Sequence, residues 1–285
     1  MASAAETTEF GYIVHPTDFS EASAPAFHHA LRLAVAARAH FYLVHVASTS
    51  AEEIGNWSAF PGVRSTLGRW GLLPRDAAPA AVYQQLGVRV TKAELQHREP
   101  VDGVLRFLAD NPCDFMVLAP DLRRDRSGRS RHSVSLALAR RAHLPCLFLP
   151  VGVRGFVDGA TGTVDLGRIL LATENGVSSG RAASMAWRIA DGFGCSAAML
   201  HLLEPDAAKV ADASSIGAWP ESRTIRIQAP DASSEVIGAQ AAAIEADLIV
   251  LATRGHNGVL DQLRGDGIEQ LLQATGRPLL TVPSN

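Results

Sequence analysis

Cysteine is scarce in this chain: Cys113, Cys146 and Cys195 stand apart, and no two have CxxC spacing. A disulfide framework or cysteine-based zinc site has no support, and an odd, sparse count fits a reducing compartment. Each thiol falls beside or within an expected strand or helix end, where small apolar filler is its ordinary role. The basic excess of a general nucleic-acid binder is also missing, since the formal charge is −3. HExxH and GxxxxGK[ST] are both absent, so zincin-type metal chemistry and P-loop chemistry find no residues to work with. No apolar run approaches the roughly 20 residues that span a bilayer. The start "MASAAETTEFGY" shows no charged region followed by an apolar one, so no signal peptide is read from it. The expectation is a cytoplasmic protein with no membrane, nucleic-acid or metal partner.

What the chain has is a core and a repetition. Apolar residues make up 47% and charged residues 19%, the balance of a globular protein. "YIVHPTDFSEASAPAFHHALRLAVAARAHFYLVHV" (12–46) aligns without a gap on "RILLATENGVSSGRAASMAWRIADGFGCSAAMLHL" (168–202). Thr17 meets Thr173, Asp18 meets Glu174, Arg32 meets Arg188 and His45 meets His201. Later, "CDFMVLAPD" (113–121) matches "ADLIVLATR" (246–254), and "LPCLFLPV" matches "RPLLTVPS". The second copy is shorter between these blocks, so its second helix is expected to be truncated.

Each copy runs through the same elements. A β-rich run leads through a polar turn into a helix, where Phe27, Ala30, Leu31 and Ala34 recur at helical spacing in the first copy. Two more strands follow, then a helix, a strand apolar throughout ("DFMVLA", "DLIVLA"), and a last helix and strand. Such strands alternating with helices predict two doubly wound α/β domains, each with a five-stranded parallel sheet. The expected division is 1–150, a connector 151–167, and 168–285. The segment 50–85, with Trp57 and Trp70, has room for a helix plus an Ω-like excursion. "GFV" and "TVDL" around a Gly-rich turn predict a hairpin in the connector, which either links the copies or covers an edge or a partner. His28 and His29, adjacent on a helix, are expected at the surface. His45 and His201, at strand ends, are expected to be satisfied by backbone.

Ligands of open α/β sheets sit beyond the strand carboxyl ends where the winding reverses, here between the first and fourth strands of each copy. In the first copy that places "HPTDFS" beside "APDLRRDRSGRSRHS", in the second "ATENGVSS" beside "ATRGHNGVLDQLRGDG". Both copies, through "PTDFSEAS", "LVHV" and "ADLIVLATRGHNGVLDQLRGDGIEQLLQATGRPLLTVP", resemble universal stress protein domains, and the chain resembles a tandem of them. The resemblance implies an adenine-nucleotide alpha-hydrolase-like fold and a pseudo-twofold pairing through the final strands. It further implies a Gly-x2-Gly-x9-Gly-Ser/Thr phosphate cradle after the fourth strand. Glycine there admits backbone N–H groups to the phosphates, and the helix N-terminus adds donors. A carboxylate after the first strand and backbone at the end of the second would hold the nucleoside.

Carried onto this sequence, the site is Pro16, Thr17, Asp18, Val46, Ala119, Arg123, Arg124, Arg126, His132 and Ser133 in the first copy. In the second it is Thr173, Glu174, Leu202, Ala252, Arg254, Gly255, His256, Gly265 and Asp266. Both copies depart from the family pattern. Leu122 and His132 stand at glycine positions in the first, where arginines crowd the loop. Three readings stay open there: a solvated loop, an anion site rebuilt from bidentate guanidinium groups, or a protein-partner surface. In the second copy Asp266 replaces the hydroxyl and reads either as a helix N-cap or as a carboxylate repelling phosphate. The expected function is a non-enzymatic stress-response binding protein with degenerate nucleotide motifs. ATP binding as a sensor is the alternative, and slow nucleotide hydrolysis a lesser one. A homodimer or protein partner stays open.

Overall fold

Strands that are apolar at every position need cover on both faces, and the helices between them supply it. The computed structural model describes residues 10–47, 57, 61–122, 133–153, 155–173, 180–195, 198–203, 224–228, 233–254 and 267–284. In chain order the first half contains β1 (Tyr12–Pro16), α1 (Ala24–Ala37), β2 (His40–Ala47), α2 (Val63–Arg69) and α3 (Ala81–Leu86). It continues with β3 (Arg89–Gln96), α4 (Pro100–Asp110), β4 (Phe115–Leu118), α5 (Val134–Ala142) and β5 (Cys146–Phe148). The second half contains β6 (Arg168–Thr173), α6 (Gly180–Gly192), β7 (Ala198–Leu203) and β8 (Thr224–Gln228). It ends with α7 (Ser234–Ala243), β9 (Leu248–Arg254), α8 (Ile268–Thr275) and β10 (Leu279–Ser284).

The strands form one ten-stranded sheet in the order β3-β2-β1-β4-β5-β10-β9-β6-β7-β8. Strands within a half pair in parallel, whereas β5 and β10 meet antiparallel. Leu279, Leu280 and Thr281 lie opposite Phe148, Leu147 and Cys146, all of them buried. The sheet therefore consists of two doubly wound halves of equal strand order, related by a pseudo-twofold axis at that seam. The core does not stop there. One apolar layer on each face continues from the first half into the second. Side chains reinforce the join: the Arg32 guanidinium lies 5.4 Å from the centre of the Phe193 ring, and Gln273 Nε2 donates to the Leu122 carbonyl at 3.3 Å.

Helix α1 buries Phe27, Ala30, Leu31 and Ala34, the stripe expected from their spacing. Burying a side chain the size of Phe or Leu contributes roughly 2 kcal/mol, so this stripe is a main anchor of α1. Between β2 and β3 the described residues form two short helices, α2 and α3, and much of the stretch expected to hold the excursion lies outside the described residues. Trp70, just after α2, is buried against the first-half core. The expected truncation of the second helix in the second half concerns residues outside those described.

The connector forms the expected hairpin in reduced form. Val157 and Val164 make an antiparallel bridge, closed by the Asp158 N–H to Thr163 carbonyl bond at 2.9 Å. It lies on α1 and α2 of the first half, and that corrects the surface placement of His28 and His29. His29 is completely buried. Its Nδ1 donates to the Pro25 carbonyl at 2.7 Å, and its Nε2 accepts the N–H groups of Phe156 and Val157, both at 3.0 Å. His28 is half-buried, 5.9 Å from the Trp70 ring centre. Adjacent helical residues do point apart, but the connector covers a part of α1 that periodicity alone leaves to solvent.

Gly162 sits at one of the tight points of this clasp. Its φ is +71°, and a Cβ there would come within 2.5 Å of the Trp70 ring. Its carbonyl meanwhile accepts from Arg32 Nε at 3.1 Å. Gly162→Ala adds left-handed strain of about 1 to 2 kcal/mol to a collision with a buried indole. A loss of about 3 kcal/mol in urea unfolding is expected, and a loss under 1 kcal/mol would show that the clasp yields easily.

Candidate functional site

Beyond Pro16 the first strand turns sharply, and local hydrogen bonds fix the turn. The Thr17 N–H extends the ladder to the Val44 carbonyl at 2.8 Å. Asp18 Oδ1 accepts both the N–H and the hydroxyl of Ser20, at 3.0 and 2.7 Å. Burial pulls the Asp18 carboxyl upward, but the Ser20 hydroxyl and amide, with the Ser23 hydroxyl, outweigh it and leave the pKa below its ordinary value. Phe19 adopts φ = 60°, an outlier for a bulky side chain. Ring packing holds it there, with its centre 4.2 Å from that of His45 and 4.7 Å from that of Trp57. Strain of this kind is stored where surrounding structure over-determines a turn.

This turn forms one wall of a cavity of about 360 Å³ at the carboxyl ends of the first-half strands. Val46 at the end of β2 and Ala119 after β4 form further walls, with Ser133 and Ser135 at the start of α5 opposite. It occupies the reversal point between β1 and β4, as the strand order requires. Ser133 is the N-cap of α5 with extended backbone, and its hydroxyl makes no capping bond. The first turn of α5 thus presents a hydroxyl and helix-end amides to the cavity, a favourable setting for negative charge.

Two histidines stand behind this surface. His45 lines the cavity, and its Nδ1 donates to the Thr17 carbonyl at 2.9 Å, which leaves Nε2 as an acceptor. His15, completely buried, donates from Nδ1 to the Val117 carbonyl at 2.9 Å, while its Nε2 has no hydrogen-bond partner among the described residues. Burial lowers its pKa to about 4 against the opposing pull of that carbonyl and of Asp18. His15 is therefore neutral near pH 7.

Of the residues expected at the first site, Pro16, Thr17, Asp18, Val46, Ala119 and Ser133 line this one cavity. Arg123, Arg124, Arg126 and His132 lie outside the described residues, although Asp121 and Ser133, which bracket that stretch, both line the cavity. In the second half, Thr173 on β6 and Ala252 on β9 are register partners at the equivalent reversal point. Leu202 lies on β7, and Arg254 ends β9. Glu174, Gly255, His256, Gly265 and Asp266 lie outside the described residues. The N-cap of α8 is Gly267, one position beyond the Asp266 expected to cap it. The sequence reading put Ser20 at the crevice within "HPTDFS" but gave it no role, and it missed Ser135, Val104 and Leu138. The Asp-x-Ser spacing of an Asx turn was the signal available for Ser20; the others come from α4 and α5, whose orientation only packing fixes.

Volume alone would choose another place, a groove of about 860 Å³ along β3. It lies on the edge of the sheet, away from the strand reversal, and has no share in the Asp18 turn.

Residues 9–150 match the family model described as the universal stress protein family. Among curated proteins none matches this chain. A functionally unknown protein, PA1789 of Pseudomonas aeruginosa PAO1, has 15% identity and a TM-score of 0.63, over 98% of this chain and 94% of that one. A universal stress protein from Archaeoglobus fulgidus DSM 4304 has 16% identity and a TM-score of 0.60, over 98% and 99%. The cytoplasmic domain of a prokaryotic cation chloride cotransporter has 12% identity and a TM-score of 0.56, over 95% of each chain. At such identities the likeness is one of fold, shared across proteins of different work. The family match is narrower and firmer: the first half of this chain, residues 9–150, is a universal stress protein domain.

Proposed function

We propose that both halves are universal stress protein domains, divided at the connector 151–167, and that the chain is a non-enzymatic stress-response binding protein. Its first-half cavity takes an adenine nucleoside or nucleotide. The observation carrying this reading is the Asp18 turn: a carboxylate held ionised by Ser20 and Ser23 in a cavity at the strand reversal. An ionised carboxylate accepts hydrogen bonds from ligand hydroxyl or amino groups, and its lowered pKa makes it a poor general base near pH 7. The Thr17 carbonyl holds His45 through Nδ1 and so fixes the ring's orientation on the cavity wall, with Nε2 able to accept from a ligand. The start of α5 faces any phosphate, and the arginines of 123–131 join it in this reading. A cytoplasmic setting belongs to the proposal and accords with the three free cysteines; no helix among the described residues is long and apolar enough to cross a membrane.

Titration of the full chain with adenosine, AMP and ATP tests this by calorimetry and by melting temperature. Bound ligand at about 100 times its Kd raises stability by about 2.7 kcal/mol. Asp18→Asn keeps the acceptor for Ser20 but removes the charge, and is expected to weaken adenosine about tenfold or more. Replacing Arg123, Arg124 and Arg126 together by Ala is expected to weaken AMP and ATP while sparing adenosine. Unchanged melting with all three ligands at millimolar concentration would end the proposal.

A further inference from the structure

The groove along β3 lies on the free side of an edge strand. Strand parity shows which backbone groups face it. The His40 N–H donates to the Gly11 carbonyl and the Val44 carbonyl accepts from Thr17, so even residues of β2 face β1 and odd ones face β3. The His97 N–H donates to the Ala47 carbonyl, which sets the odd residues of β3 toward β2. Val90 and Lys92 therefore turn their N–H and C=O groups away from the sheet, into the groove they help line. No strand among the described residues pairs with this side of β3.

The groove is also strongly cationic. Among the described residues, Arg64, Arg75, Arg89 and Lys92 line it against a single carboxylate, Asp76, a formal charge of +3 for that lining in a chain of net −3. Several of these cations are held in place. The Arg89 guanidinium lies 5.3 Å from the Tyr83 ring centre and the Lys92 ammonium 5.1 Å from that of Trp57. Arg64 Nη1 donates to the Ala77 carbonyl at 3.1 Å. Outward main-chain groups accept an extended chain, and fixed cations around them select acidic side chains.

We propose that this groove is a docking site for an acidic, extended peptide segment of a partner protein, which adds to β3 as an eleventh strand. The probe is the acetylated, amidated octapeptide (Glu-Val)4, titrated onto the full chain by calorimetry. Binding in the range of ~10 to 100 μM is expected, falling steeply as salt rises. (Lys-Val)4 is expected not to bind. Arg75→Glu with Arg89→Glu, both at exposed positions, is expected to weaken the acidic peptide at least tenfold with unchanged melting temperature.

Main-chain pairing has its own readout. A strand added at an edge directs alternate amides toward β3, so N-methylation of the glutamates or of the valines blocks one set only. One methylated peptide is expected to lose at least tenfold in affinity and the other to keep most of it. Equal binding of both, or equal binding of the oligonucleotide dT8, would overturn the proposal in favour of a plain polyanion groove. No binding of (Glu-Val)4 would overturn it in favour of an edge merely charged against pairing. The site is separate from the Asp18 cavity, so the outcome is independent of adenosine binding.

Discussion

Stability is expected to fall by about 5 kcal/mol as the pH is lowered from 6.5 to 4, because two histidines are buried neutral in the native state. Burial drives both His15 and His29 down from 6.5 to about 4; backbone carbonyls of Val117 and Pro25 oppose the shift, and the neighbouring His28 adds to it. Above pH 6.5 native and unfolded chains both carry these rings neutral, so they add no pH dependence. Below it the unfolded chain takes up two protons that the native chain refuses, each worth about 1.4 kcal/mol per pH unit. Below pH 4 the native rings protonate as well, and the slope from them vanishes. His28 is also lowered to about 4 but only half-buried, and solvent screening keeps it out of the sum. Asp18 acts in a different window: its lowered pKa contributes stability that is lost only as the pH falls through and below the ordinary carboxylate value. Urea unfolding at half-unit pH steps measures the slope, expected to approach two protons. A flat profile between pH 6.5 and 5 would show that water reaches both rings.

Replacing His29 by Leu is expected to cost about 4 kcal/mol and to lower the melting temperature by roughly 10 °C. Leu matches the ring in rough size and in apolar character, so packing is a minor part of the loss. What goes is the acceptor for two buried N–H groups, those of Phe156 and Val157, each orphaned at about 1 to 3 kcal/mol. His29→Gln restores one acceptor and is expected to recover part of the loss. The two predictions check each other, because the Leu variant should halve the proton uptake seen in the acid titration. A Leu variant within 1 kcal/mol of the parent would mean that the connector amides find other partners.

Much of the architecture was legible in the sequence, and the reason is local. The repeat between 12–46 and 168–202, together with apolar runs such as "DFMVLA", determined two doubly wound halves. Period and turn chemistry are properties of neighbouring residues, so Phe27, Ala30, Leu31 and Ala34 could be placed on one buried stripe in advance. The reversal point follows from strand order, which brought Thr17, Asp18, Ala119 and Ser133 to one crevice on paper.

The rest depended on elements far apart in the chain. His29 read as a surface residue because nothing in "AFHHALRL" records that residues 156 and 157 will aim two N–H groups at its ring. The groove along β3 needs α2 and α3 folded beside an edge, and no periodicity marks which strand will be an edge. The sequence by itself determined the elements, their repetition and the mouth of the site, since these rest on short-range sterics and hydrophobic period. Only the tertiary structure decided which polar groups are shut away from water and which backbone is left open, because burial is a property of the whole packed chain.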